Sequence, residues 1–315
     1  MHLVTYLAGR SPRLGVVWRD AVLDLRNLSV DMAAQRAGRP RREAALPATM
    51  LGLIEGGPDL WARAHEALEY GKGLVDRLDP ADLGRRRIGR LLSRVRLLAP
   101  IPRPRKNVFC MGRNYAEHAA ERGAAPPERP VFFTKPATTV IGPGAPIVRH
   151  AVTQALDYEV ELAAVVGQRG RDLALEGALG YVFGYVVLND VTARDLQKAH
   201  QQWFKGKSLD SFCPMGPALV TADEVPDPQA LGIRLRVNGE TRQEASTAQM
   251  IFGVAALLAS LSAGMTLEPG DVLATGTPSG VGAASGRYLE PGDIVEAEID
   301  GLGTLRNPVV APGAV

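Results

Sequence analysis

Three acids at alternate positions, Asp157-Tyr-Glu159-Val-Glu161, are the densest chemistry in the chain. Side chains on a strand alternate, so the three carboxylates would share one face and Tyr158, Val160 and Leu162 the other. Like charges in a row repel each other. A chain tolerates them on the solvated face of an edge strand or around a cation. The residues that follow, Ala163-Ala-Val-Val, read as core and weigh against open water. A second apolar run, Tyr181–Leu188, ends in Asn189-Asp190, and an acid at a strand end is a common place for a site residue. Glu159, Glu161 and Asp190 form an all-oxygen donor set that suits Mg²⁺ or Mn²⁺. No histidine lies near them on either strand, which argues against zinc.

Other candidates are weaker alone. His118 and Glu121 are three apart on a short helical segment and share a face. A histidine oriented by a carboxylate is a general base for water, but helical His/Glu neighbours are also ordinary surface pairs, and Glu117 neighbours Glu121 as well. Gly206-Lys207-Ser208 invites a phosphate-loop reading, which fails because Gln201 stands where that motif needs glycine and no strand precedes it. Lys207 instead offers a cation for a substrate carboxylate. The stretch Ala274-Thr-Gly276-Thr277-Pro-Ser-Gly280-Val-Gly282 follows a strand and is either an anion-holding turn or a plain tight one.

Strands and turns must position these residues. Leu3–Leu7 and Val16–Trp18 read as strands, and Met32 to Ala99 has helical spacing, best over Trp61–Glu69 and Leu83–Val95. Prolines 100, 102 and 104 cannot continue a helix and place a boundary near residue 100. We therefore expect a small N-terminal domain over 1–100 and a catalytic domain over 101–315. Beyond the prolines, Asn107–Met111, Tyr158–Val166 and Tyr181–Asn189 read as strands, Asn114–Arg122 and Phe252–Leu261 as helices. Asn238-Gly239 and Asp300-Gly301 read as hairpin turns. Leu-Glu-Pro-Gly-Asp occurs at 267–271 and 289–293, a turn solution used twice.

Composition excludes several classes. The 315 residues carry net charge +2, split as +6 over 1–100 and −4 over 101–315, and aromatics are 5%. That pattern gives no basic, aromatic-laced face for nucleic acid. The Arg85-Arg86-Arg87 cluster with Arg90 and Arg94 reads as a solvated helix face. Cys110 and Cys213 form neither a disulfide framework nor a metal knuckle and fit a reducing, cytoplasmic setting. No signal peptide is evident, and the longest apolar stretch, Gly253 to Gly264, is too short for a membrane span.

In order, Gly112-Arg113-Asn114-Tyr with His118 and Glu121, Phe133-Thr-Lys135-Pro, Asp157-Tyr-Glu-Val-Glu161, Asn189-Asp190-Val-Thr-Ala-Arg-Asp195-Leu-Gln197, Gly206-Lys-Ser with Cys213-Pro-Met-Gly-Pro217, and Gly276-Thr-Pro-Ser-Gly-Val-Gly282 span about residues 105–310. Together they resemble the fumarylacetoacetate hydrolase superfamily. The resemblance implies an α+β fold, a mixed β-sandwich roll with a small N-terminal α/β domain, usually as a homodimer. It implies Glu159, Glu161 and Asp190 as ligands for Mg²⁺ or Mn²⁺, and His118 with Glu121 as the water-activating dyad on a lid segment. Lys207 would be the active-site lysine, and Arg113, Asn114, Lys135, Gln197, Gly276 and Thr277 would meet substrate. The expected reaction is hydrolysis of the C3–C4 bond of a 2,4-dioxo acid such as an acylpyruvate, with a metal-held enolate leaving. The alternatives are an oxaloacetate-type decarboxylase or an isomerase of an unsaturated dioxo acid from aromatic catabolism, then a ureido-acid lyase or a non-catalytic binding protein. The expected partner is a small 2-oxo acid, with neither nucleic acid nor membrane.

Overall fold

Every residue of the strands Val160–Val166 and Val182–Asn189 is buried, so both lie inside a sheet covered on two faces. These two strands pair antiparallel at the middle of a large mixed sheet. Cys213–Thr221 flanks them on one side, and Val272–Ala274, Val108–Gly112 and Val131–Lys135 follow on the other. The computed structural model describes residues 1–38, 45–121, 123 and 125–314. Arg122 and residues 39–44, parts of two expected helical segments, lie outside them.

The alternating side chains of the sheet feed two cores. Val160, Leu162 and Ala164 pack with Tyr158, Leu235, Val295 and Ala297, against a five-stranded sheet that includes Gly232–Val237, Ile294–Ile299 and Gly303–Val310. Ala163 and Val165 face the other way, into a core shared with Leu53, Ile54, Ala64 and Leu68. That second core is covered by the helix Gly57–Val75 and its neighbours, so the large sheet is sandwiched between helices and a second sheet.

The N-terminal strands continue the same sheet. His2–Ala8 pairs with Ser11–Trp18 and, through His2 and Leu3, with Val220 and Leu219 of Cys213–Thr221. Asp24 closes this meander and starts the helix Leu25–Ala37, accepting the Asn27 amide at 2.8 Å and the Tyr6 hydroxyl at 2.8 Å.

Two local expectations are corrected. The helix expected over Leu83–Val95 ends early: Pro80–Arg85 is helical, Arg87 turns left-handed at φ 59°, and Gly89–Leu91 becomes a strand on Ala21–Asp24. A Cβ on Gly89 would lie 2.9 Å from a Leu23 methyl, so glycine lets these strands meet without displacing that side chain. The turn at Asp300-Gly301 is not a two-residue hairpin, because Ile299 pairs with Gly303 across three intervening residues. At Asn238-Gly239 both residues have positive φ, 53° and 80°, as a two-residue primed turn requires. The repeated Leu-Glu-Pro-Gly-Asp turns close alike: Asp271 accepts the Glu268 amide at 2.9 Å, and Asp293 the Glu290 amide at 2.8 Å. No described helix is long and apolar enough to cross a membrane.

Candidate metal and substrate site

Glu159 and Glu161 reach one point because they sit one pleat apart at the start of Val160–Val166, on the face shared with Ala163 and Val165. The neighbouring strand delivers Asp190. Its amide donates to the Glu159 carbonyl at 2.8 Å, and the Asn189 side chain accepts the Glu159 amide at 2.9 Å. Ligand oxygens of Glu159, Glu161 and Asp190 lie within 4.8 Å of one another, and all three residues are buried. The structure brings this expected triad together. Asp157 departs from the expected row of three acids. It lies on a separate short ladder, Leu156–Asp157 with Thr192–Ala193, and its carboxylate turns to the Gly282 amide at 2.7 Å and the Ala283 amide at 3.0 Å.

Three buried cations answer these acids. Lys207, on the short helix Phe204–Lys207, donates to Glu159 and to Asp190, both at 2.7 Å. Lys135 Nζ lies between Asp190 and the Val191 carbonyl, fully buried behind the carboxylates. Arg194 donates to Asp157 at 2.7 Å, to Glu159 at 2.5 Å and to the Gln197 side chain at 3.1 Å. Four carboxyl groups thus meet three cations, one acid more than the cations can answer. Burial alone would raise the Glu159 carboxyl, but Lys207 and Arg194 outweigh it and hold it well below the usual carboxylate range. Glu161 goes the other way: burial first, then the Asp190 and Glu159 charges, push it well above that range. Its carboxylate accepts the Gly276 amide at 2.8 Å. One further cation among these oxygens would restore its ionised form, so the donor set fits a bound metal ion.

A cavity of about 610 Å³ opens over the carboxylates. Of the expected site residues, Arg113, His118, Glu121, Glu159, Glu161, Gln197, Lys207 and Thr277 line it. Asn114, Lys135, Asp190 and Gly276 stand behind its wall. Asn114 is a clamp, donating to the Phe252 and Thr275 carbonyls at 2.9 and 2.7 Å and accepting the Phe252 amide at 2.9 Å. Thr277 donates to the Val160 carbonyl at 2.9 Å, and Gln243 spans Val160, Thr277 and the Pro278 carbonyl from below. The helix Ala116–Glu121 brings His118 to the cavity, with Nδ1 3.6 Å from a Glu121 oxygen. Glu121 also accepts the Gly280 amide at 2.9 and 3.1 Å, which ties this helix to the 276–282 loop.

Sequence reasoning did not single out Arg194, Trp203 or Tyr288. Arg194 had a readable signal, since it lies three residues before Gln197 on one helical turn. Trp203, which caps the start of the Phe204–Lys207 helix, and Tyr288, from the loop after the 276–282 turn, carry no local signature.

A mixed β-roll with a buried carboxylate triad at the floor of a polar cavity defines the class: enzymes of the fumarylacetoacetate hydrolase fold. The sequence profile described as fumarylacetoacetate (FAA) hydrolase C-terminal matches residues 107–310, and the chain belongs to this family. It is 45% identical over 269 residues to oxaloacetate tautomerase YisK of Bacillus subtilis (strain 168), covering 84% of this chain and 87% of the relative. The solved fumarylacetoacetate hydrolase (EaFAH) from psychrophilic Exiguobacterium antarcticum is 41% identical, with TM-score 0.79 over 99% of each chain. The 2-hydroxyhepta-2,4-diene-1,7-dioate isomerase from Mycobacterium marinum is 43% identical, with TM-score 0.63 over 71% of this chain and 81% of that one. The tautomerase and the isomerase among these relatives favour the isomerase alternative over the expected hydrolysis of a dioxo acid.

Proposed function

We propose that this protein interconverts the keto and enol forms of a 2-oxo dicarboxylic acid of the oxaloacetate type. The observation that carries this reading is the similarity to an oxaloacetate tautomerase along most of both chains. The site supports it chemically. A divalent ion, Mg²⁺ or Mn²⁺ by the all-oxygen donor set, would be held by Glu159, Glu161 and Asp190, and when bound it supplies Lewis-acid polarisation of a 2-oxo group. Tautomerisation needs a proton moved between C3 and the 2-oxygen, with no attacking water and no broken carbon–carbon bond. His118, buried beside the cavity, takes the C3 proton and returns it to the 2-oxygen, and Glu121 sets its ring. Lys207 spends two of its three N–H groups on Glu159 and Asp190 and has one left for the developing oxyanion. Thr277 and Gln197 line the space beside it and orient the acid.

In this reading residues 101–315 carry the chemistry, and residues 1–100 brace the rear of the sheet. Two buried free cysteines support a reducing, cytoplasmic compartment. A homodimer completes the proposal and is checked by sedimentation.

The test is a parallel assay of the Mn²⁺-loaded protein. Decay of enol-oxaloacetate absorbance is followed beside cleavage of an acylpyruvate, decarboxylation of oxaloacetate and isomerisation of a ring-fission diacid. Tautomerisation is expected to have the largest kcat/KM. Acylpyruvate cleavage exceeding it would restore the hydrolase reading.

A further inference from the structure

We infer that Arg113 is the recognition residue for the second, distal carboxylate of the substrate, which makes the site selective for diacids over monoacids. This rests on the tautomerase reading for the substrate's backbone, but not for the charge at its far end.

Two cavity cations are already committed. Lys207 is bound to Glu159 and Asp190, and Arg194 to Asp157 and Glu159. Arg113 also lines the cavity, yet among the described residues no carboxylate lies within ion-pair distance of it. Its guanidinium lies over the Trp203 ring, 5.5 Å from the centroid. Trp203 in turn packs edge-on against Phe133 with centroids 5.5 Å apart, and both rings line the cavity.

The local backbone allows this contact. Gly112 lacks the Cβ that would sit 2.3 Å from the Trp203 ring. Arg113 holds φ 61°, a left-handed conformation that a long side chain rarely adopts. Strain of this kind persists where the surroundings over-determine it, and Asn114, next in the chain, is clamped to Phe252 and Thr275. A guanidinium held over an aromatic ring spends no N–H group on a carboxylate and keeps the fork that matches one. Lys198 also lines the cavity, but it is an exposed point charge on a flexible stem, with no ring beneath it among the described residues.

The chemistry at the floor explains why the second cation stands apart. One carboxylate and the 2-oxo group of the substrate belong at the Glu159–Glu161–Asp190 end. A second carboxylate placed there would meet the acids themselves. Held at the Arg113 end, it pairs with a cation that no described carboxylate engages.

The experiment compares oxaloacetate with acetopyruvate, which replaces the distal carboxylate by a methyl ketone. Keto–enol kinetics are measured on Mn²⁺-loaded protein, with calorimetric binding of both acids alongside. Loss of a charge-assisted hydrogen-bonded pair is worth about 1.5–3 kcal/mol, so Arg113→Gln should raise KM and Kd for oxaloacetate roughly ten- to hundredfold. Those for acetopyruvate should move less than about threefold, a change of about 0.65 kcal/mol. Arg113→Lys should recover part of the loss, because it keeps the charge without the fork. Parallel changes for both acids, or a diacid-selective loss in Lys198→Gln but not in Arg113→Gln, would overturn the assignment. Should Arg113→Gln fail to fold, Trp203→Leu takes its place, and an unaltered diacid-to-monoacid ratio there overturns it equally. A wild-type protein that enolises neither acid refutes the proposed function, while the calorimetric ratio still decides Arg113.

Discussion

Replacing Arg194 by leucine removes a side chain that joins Asp157 to Glu159. The guanidinium is buried, and its donors reach the two carboxylates at 2.7 and 2.5 Å. Truncating one partner of a buried ion pair leaves an uncompensated charge and costs about 3–5 kcal/mol. The lower end applies here because both acids keep other donors. Asp157 retains the Tyr158, Gly282 and Ala283 amides, and Glu159 retains Lys207. We therefore expect Arg194→Leu to lose about 3 kcal/mol of unfolding free energy at pH 7. The assay is urea unfolding followed by circular dichroism, with chelator present so that metal binding does not contribute. Arg194→Lys should fall between, since a single ammonium cannot span both carboxylates. In a cycle with Asp157→Asn, the two losses should be non-additive by about 0.5–3 kcal/mol. Metal affinity should fall as well, about 10–100-fold, because Glu159 loses the partner that orients it. A stability change within about 0.5 kcal/mol of wild type, the scatter of an ordinary surface substitution, would refute this account of the acid–base lattice.

Three further outcomes are expected. Mn²⁺ at about a hundred times its Kd should stabilise the wild-type protein by about 2.7 kcal/mol, and Glu161→Gln should abolish that gain in thermal melts. His118→Ala should lower tautomerase turnover about 10²–10⁴-fold with Mn²⁺ binding retained by calorimetry; full activity would remove His118 from the proton path. Burial, then the hydrogen bond to Asp31 at 2.5 Å, pushes the Tyr70 hydroxyl up to about 12. A group whose folded value lies above its unfolded value near 10 stabilises fully below pH 10. That contribution fades as pH rises from about 10 to 12, so alkaline stability should decline less steeply in Tyr70→Phe than in wild type.

The carboxylate triad was legible because its cause is local. Alternation along one strand puts Glu159 and Glu161 on one face, and an apolar run that stops at Asn189-Asp190 marks a buried strand end. The hairpin at Asn238-Gly239 was readable for the same reason, since its φ values depend on the two residues themselves. The helix expected over Leu83–Val95 failed where tertiary pairing outweighed helical spacing: the Gly89 strand gains a partner in Ala21–Asp24 that periodicity cannot show.

Residue types and their spacing by themselves pointed to three acids that could hold a cation, and the order of the motifs to a resemblance with the fumarylacetoacetate hydrolase fold. Only the tertiary structure decided which polar residues stand in front of that site and which behind it. Asn114 and Lys135 are turned inward to satisfy backbone carbonyls and Asp190, whereas Arg113, one residue from Asn114, faces the cavity on the Trp203 ring. The physical reason is that a buried polar group must spend its hydrogen bonds on whatever surrounds it. Those surroundings come from strands and loops up to about 160 residues away in the chain, as Asn114 and Thr275 do.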